Sequence, residues 1–286
     1  MYICFILFNY NILKKKYTLH IINKSLILKN NRSKIIAISY GNELFQKQLE
    51  VNRKSALEIG KVDEYYSYGP NNIDQEFKNK NIDILSEKRG NGYWLWKPYF
   101  ILKTFKEKMK EGDYLIYTDA GILYLNSTRN IINFMEKENT EIWAFQLSHL
   151  EKYWTKRDVF ILLCLDSSLY SDTPQYTAAI QIYRKSKFTE KFLEDLLYYS
   201  QDKRIITDMP NTQKYNNYDG FKENRHDQSV FSLLIKKYGL LNTPKTNRNI
   251  TDNKKIKREN IITFCIYRRQ LFKDYNDIMN KCKEKY

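Results

Sequence analysis

The sequence predicts an α/β fold: a mixed, mainly parallel sheet flanked by helices, in a single domain with a C-terminal appendage. Three observations predict it. Short, mostly uncharged runs recur at 34–41, 62–68, 114–117, 141–147 and 176–184, most bounded by glycine or other turn residues, as strands covered on both faces are. Apolar patterns at helical spacing stand between several of them, and that order of strand, helix, strand begins a parallel sheet with right-handed crossovers. A chain of 286 residues can also bury one large core.

Residues 1–33 open on an apolar run at 2–13, broken by Asn9 and Asn11, with its lysines after it. A signal peptide carries its positive charge first and a spanning helix takes about twenty apolar residues, so 1–33 reads as a leader, weakly ordered or peripheral. The first strand, 34–41, ends in Gly41. A helix over 43–59 follows, with Leu44, Phe45, Leu49, Ala56 and Leu57 marking its inner face and Gly60 its stop. The second strand, 62–68, closes on Gly69-Pro70.

The segment Arg89-Gly90-Asn91-Gly92-Tyr93-Trp94-Leu95-Trp96-Lys97-Pro98 is rich in signal. Its glycines allow close backbone approach to a ligand. If the segment is extended, Trp94 and Trp96 share one face, with Arg89 and Lys97 flanking them in positive charge. Pro98 suits the first turn of a helix whose buried stripe is Tyr99, Ile101, Leu102, Phe105 and Met109. The tryptophans serve either to anchor that helix to the sheet or to line a basic, aromatic loop beside a phosphorylated or sugar ligand.

Gly112-Asp113-Tyr114-Leu115-Ile116-Tyr117-Thr118-Asp119-Ala120-Gly121 reads as a turn, a buried strand and an acidic residue just past the strand's end. In open α/β sheets ligands bind outside the carboxyl ends of the strands, which favours Asp119 over Asp113 as a ligand-binding group. In a purely structural role Asp119 would cap the turn before Gly121. A short strand at 122–125, a helix over 129–137, a strand at 141–147, a polar aromatic stretch with His149, Tyr153 and Trp154, a strand at 176–184 and a helix over 188–199 follow. Asn224-Arg225-His226-Asp227-Gln228-Ser229 then opens a deeply apolar helix that stops at Gly239. As an N-cap Asp227 would contribute about 1 kcal/mol; as a site residue it sits with His226 at the positive end of a buried helix. From 245 the chain is basic and polar, with pattern returning at 261–267 and after 270, and it reads as an appendage.

The formal charge of +15 raises the question of nucleic acid. The lysines and arginines are dispersed over helix faces and the tail and form no single stripe, which argues for no nucleic-acid partner; an anionic substrate or an acidic membrane surface profits equally from such a field, so peripheral membrane association stays open. The four cysteines are scattered, without a CxxC pair, and read as reduced thiols of a reducing compartment, which places the chain in the cytoplasm.

Three stretches together, 93–98, 117–121 and 226–229, resemble the nucleotide-sugar glycosyltransferases of GT-A type, above all bacterial and viral transferases of polysaccharide or surface-glycan synthesis. The resemblance covers about 34–244 and implies a GT-A (Rossmann-like) fold, with a nucleotide-sugar donor and a glycan or other hydroxyl acceptor. It implies that Asp119 matches the first carboxylate of the family's DxD motif and binds the donor and a divalent cation, Mn2+ or Mg2+, while Gly121 stands where the second carboxylate would be. On the same footing Arg89 and Lys97 neutralise phosphate, Tyr40 and Trp96 join them in substrate binding, His226 is a metal ligand and Asp227 the catalytic base. The alternatives are a non-enzymatic basic module that binds nucleic acid or an acidic surface, and a hydrolase on the same fold that uses Asp119 and Asp227 as its pair.

Overall fold

The computed structural model describes residues 32–240, 264–266, 275–277 and 279–280. The chain divides into two units, 1–33 and 34–286. The leader expected over 1–33 lies, apart from residues 32 and 33, outside the described residues, and the C-terminal appendage is described only at the positions just given.

The strands are β1 (Ile35–Tyr40), β2 (Glu64–Tyr68), β3 (Tyr114–Thr118), β4 (Ile122–Tyr124), β5 (Ile142–Leu150), β6 (Pro174–Arg184) and β7 (Phe264–Ile266). Five of them form one sheet in the order β2-β1-β3-β6-β5, and β4 pairs with β7. β1 is parallel to β2 and to β3, whereas β6 is antiparallel to both β3 and β5. Four strands of the sheet therefore run one way and β6 runs against them, which is the mixed, mainly parallel arrangement expected.

Helices α1 (Gln46–Glu58), α2 (Trp96–Lys108), α3 (Arg129–Lys137), α4 (Lys187–Ser200) and α5 (Asp227–Lys237) cover the sheet. Side chains alternate across a strand, so one sheet feeds two cores. Ile36, Ile38, Leu115 and Tyr117 pack with Phe100 and Phe105 of α2, Phe192 of α4 and Phe231 of α5. Ile35, Ala37, Tyr114 and Ile116 pack on the other face with Ala56 of α1 and Ile131, Ile132 and Met135 of α3. With both faces covered, β3 is buried along its whole length.

α3 occupies the predicted span, and α2 carries Pro98 in its first turn. α1 differs. Asn42 accepts from the Leu44 N–H at 3.2 Å and caps a separate 3-10 turn, Glu43–Phe45, which leaves Leu44 and Phe45 69% and 40% exposed. Leu49 and Ala56 of the expected inner face are buried, and the polar Asn52 and Ser55 join them there. Asn52 is fully buried: its amide donates to Ile122 O (2.7 Å) and Thr118 Oγ1 (2.9 Å), and its Oδ1 accepts from the Tyr65 hydroxyl at 2.5 Å. A polar side chain on the inner face of a helix thus pins the turn between β3 and β4, the turn that carries Asp119.

Glu151, just beyond β5, and Lys236, near the end of α5, form a fully buried ion pair at 2.6 Å. Ser232 donates to the same carboxylate, and Thr155 Oγ1 donates to its other oxygen at 2.7 Å. Burial works against the Lys236 charge and lowers its pKa.

Between α4 and α5 the chain, after one short helical turn at Lys203–Ile206, runs without regular secondary structure. Buried Asp158 accepts from Thr212 N (2.6 Å), Thr212 Oγ1 (2.8 Å) and Gln213 N (3.1 Å). Buried Lys156 donates to Thr207 O (2.9 Å) and Met209 O (3.0 Å), and its burial pushes the ammonium down to about 8. These two side chains fix the segment that leads into His226 and Asp227.

Candidate functional site

The carboxyl end of β3 and the amino end of α5 meet at Lys97, which α2 contributes from its first turn. The Lys97 ammonium lies 2.6 Å from Asp227 Oδ2, 3.2 Å from Asp119 Oδ1 and 3.3 Å from Ala178 O, as many oxygens as it has N–H donors. The contact with Asp227 Oδ2 is an ion contact rather than an aligned hydrogen bond. The lysine side chain is only 4% exposed and Asp227 11%, whereas Asp119 is 42% exposed. Tyr117 donates to Asp119 Oδ1 at 2.6 Å. With Oδ1 held by the Tyr117 hydroxyl and in ion contact with Lys97, Asp119 is a fixed carboxylate at the solvent edge of a buried charge cluster.

The electrostatics follow from burial. Desolvation alone would lower the Lys97 pKa, but Asp119 and Asp227 together outweigh it and raise the value, so Lys97 is charged. Burial raises the Asp227 pKa, Lys97 opposes the rise and Asp119 adds to it. Asp227 is the desolvated carboxylate of the cluster, and its burial makes it a weaker acid than an ordinary aspartate. The ionised fraction of Asp227 thus grows with pH over a range above that of an ordinary aspartate. If Asp227 is the general base, the acid limb of kcat/KM lies above the usual carboxylate range, and Asp227→Asn removes that limb together with the activity. A pH profile of both proteins checks this; a limb at an ordinary carboxylate position excludes Asp227 as its source.

The extended conformation that would put Trp94 and Trp96 on one face is not adopted: beyond Arg89, residues 90–98 are not extended. The five residues 90–94 all have φ between 49° and 93°, a left-handed turn. Gly90 and Gly92 adopt it without strain, and a Cβ at either would lie within 3 Å of the Trp94 ring or of Leu85. Asn91, Tyr93 and Trp94 adopt it too, held by their surroundings. The Asn91 amide donates to the Tyr40 hydroxyl, and Trp96 Nε1 donates to Gly90 O at 2.9 Å. The turn sends the tryptophans apart. Trp96 is 5% exposed and stacks on Tyr40 at 3.7 Å between ring centroids, while Trp94 stacks on His226 at 5.2 Å. Tyr40 and Trp96, expected at the substrate, are packed against each other in the core beneath the site, and burial pushes the Tyr40 hydroxyl up to about 12.

Arg89 faces acidic side chains rather than an open phosphate position: its guanidinium is 3.4 Å from Asp208 and 3.3 Å from Glu223. His226, the N-cap of α5 at φ 52°, pairs Nδ1 with Ile206 O at 2.8 Å, which makes Nδ1 the protonated nitrogen. Nε2 lies 3.7 Å from Asp208 Oδ1, and burial lowers the imidazole's pKa, leaving it neutral. Asp227 follows at the first helical position and is no N-cap.

A divalent cation at Asp119 and His226 does not fit these surroundings. Among the described residues no group of three or more His, Cys, Asp and Glu side chains is set to hold a metal. Asp119 Oδ1 and Asp227 Oδ2 already face an ammonium, and His226 is directed at Ile206 and Asp208. Tyr117, Ala178, Asn52 and Asp208 complete the site, and of these only Tyr117 lies in a stretch singled out in the sequence as a candidate site.

No protein-family model matches the chain, and no curated protein matches it. Solved structures similar to it are glycosyltransferases. They include the bifunctional glycosyltransferase WbbM (9% identity over 72% of this chain and 38% of that one, TM-score 0.41) and the glycosyltransferase GlyE of Streptococcus pneumoniae TIGR4 (16%, 72% and 44%, TM-score 0.35). Mouse xyloside xylosyltransferase 1 is a third (11%, 73% and 84%, TM-score 0.43). The chain thus spans less than half the length of the first two. Likenesses this distant add no weight to the geometry above.

Proposed function

We propose that the protein is a glycosyltransferase that moves a sugar from a nucleotide-diphosphate donor to a hydroxyl acceptor. The observation that carries the reading is the convergence of Asp119, at the carboxyl end of β3, and Asp227, at the amino end of α5, on the one buried ammonium of Lys97. A solvent-edge carboxylate in that place suits the ribose and sugar hydroxyls of a donor. A desolvated carboxylate with a raised pKa suits proton abstraction.

In the reaction the bond between the sugar's C1 and the diphosphate oxygen breaks and its electron pair leaves with the nucleoside diphosphate. The acceptor oxygen forms the new bond to C1, and its proton passes to the Asp227 carboxylate. Asp119 orients the donor, and Lys97 fixes both carboxylates. Among the described residues no helix is long and apolar enough to cross a membrane.

The test is a donor-hydrolysis and binding screen across nucleotide sugars with and without hydroxyl acceptors. Turnover or tight binding of at least one donor supports the reading. Binding of none sinks it, and product formation indifferent to every acceptor, with water consumed instead, turns it into a hydrolase.

A further inference from the structure

The disagreement between the expected cation and the residues present has a simple resolution in the geometry. We infer that the Lys97 ammonium is this site's resident cation and that the protein binds its nucleotide ligand without a divalent metal. The ligand part of this inference rests on the transferase reading; the part about the cation does not.

A hard divalent ion takes several oxygen ligands at about 2.0–2.6 Å, and beside water and substrate phosphate the protein's share is one or two carboxylates. The two carboxylates that converge here, Asp119 and Asp227, converge on Nζ, and the third oxygen, Ala178 O, is a backbone carbonyl already shared with Gln181 Nε2 at 2.8 Å. Gly121 brings no side chain to replace what Lys97 occupies.

The ammonium cannot easily withdraw either. Lys97 issues from the first turn of α2 between Trp96, locked on Tyr40, and Pro98, and its Nζ also lies 5.1 Å from the face of Tyr117. Leaving would strip a buried charge of all three oxygens and strand Asp227 in a desolvated position. A dication drawn to Asp119 would meet that fixed positive charge at short range. Lys97 is thus a positioning residue: it holds the donor-side carboxylate and the base at a set spacing and compensates their charge.

The experiment is a Mn2+ titration read by the electron paramagnetic resonance of free Mn2+. Wild-type protein is compared with Lys97→Ser, with the double variant Lys97→Ser/Asp119→Asn, and with Asp119→Asn alone. Wild type is expected to leave the free signal as buffer does. Lys97→Ser, with two carboxylates and no counter-ion, takes up one Mn2+ per chain, and the added Asp119→Asn abolishes the uptake. Stoichiometric uptake by wild type that Asp119→Asn removes overturns the inference, as does a folded Lys97→Ser that takes up none. Should Lys97→Ser not fold, the wild-type comparison decides alone.

In parallel, UDP and GDP binding to wild type is measured by calorimetry in EDTA and in Mn2+. Affinity unchanged within about threefold supports the inference. Binding that requires the metal overturns it and leaves the transferase reading standing. No binding under either condition sinks the transferase reading, and the Mn2+ titration still settles which cation the carboxylates hold.

Discussion

Asp119→Asn lowers kcat/KM for sugar transfer by at least about a hundredfold, roughly 2.7 kcal/mol of transition-state stabilisation. The substitution keeps the size of the side chain and removes the one exposed negative charge of the cluster. It also removes one of the two carboxylates that keep Lys97 charged. Asp113→Asn, six residues earlier, is the control, and the structure makes it a more informative one than its sequence position suggests. Asp113 accepts from the Lys34 N–H at 3.0 Å and the Lys110 N–H at 2.8 Å, tying the starts of β1 and β3 at the end of the sheet away from the site. An asparagine oxygen there serves both donors less well, so the loss falls on stability, about 1–3 kcal/mol, and not on turnover. Donor kinetics and urea unfolding of both variants separate the two effects. Equal activities in two folded proteins would remove Asp119 from the mechanism.

The second large effect is on stability. Lys236→Met leaves the Glu151 carboxylate buried without its counter-ion and costs about 3–5 kcal/mol. Glu151→Leu combined with Lys236→Met recovers most of that loss, because the penalty belongs to the stranded charge and not to the missing attraction. Urea denaturation of the single and double variants gives the coupling directly. A double variant no more stable than Lys236→Met would mean that the hydrogen bonds from Ser232 and Thr155, rather than the ion pair, hold this region together.

The centre of the sheet was readable from sequence because β1, β3 and most of β6 are covered on both faces and therefore appear as nearly uncharged runs; the reversal of β6 was not, since parallel and antiparallel strands bury the same side chains. Asp119, Asp227 and Lys97 were each recognisable by residue type and by position at an element's end. Their grouping was not, because a lysine next to a predicted loop looks like a phosphate ligand until the loop is seen to fold it inward. Arg89 was misplaced for a related reason: the acidic partners that claim it, Asp208 and Glu223, lie more than a hundred residues away. Gly90, Asn91 and Gly92 are residue types that adopt the left-handed region readily, but nothing in Tyr93 and Trp94 announces that the turn continues through them, and that turn is what sends Trp94 to His226 and Trp96 to Tyr40. Asn52 and the Glu151–Lys236 pair escaped because polar residues in amphipathic elements are read by default as facing water.

The pairing of β4 with β7 bears on the order in which the protein acquires its site. β4 follows directly on the turn that carries Asp119, and its partner strand arrives roughly 140 residues later. Contacts of such separation in sequence pay their loop-closure entropy before they return any stabilisation, and they form late. Asn52 can pin the Asp119 turn from a neighbouring helix early, while Phe264 closes edge-on against Tyr124 only after most of the chain has been synthesised. The scaffold around Lys97 thus matures in two stages, and a ribosome-bound chain lacking β7 carries Asp119 on a turn whose following strand, β4, is not yet paired with β7.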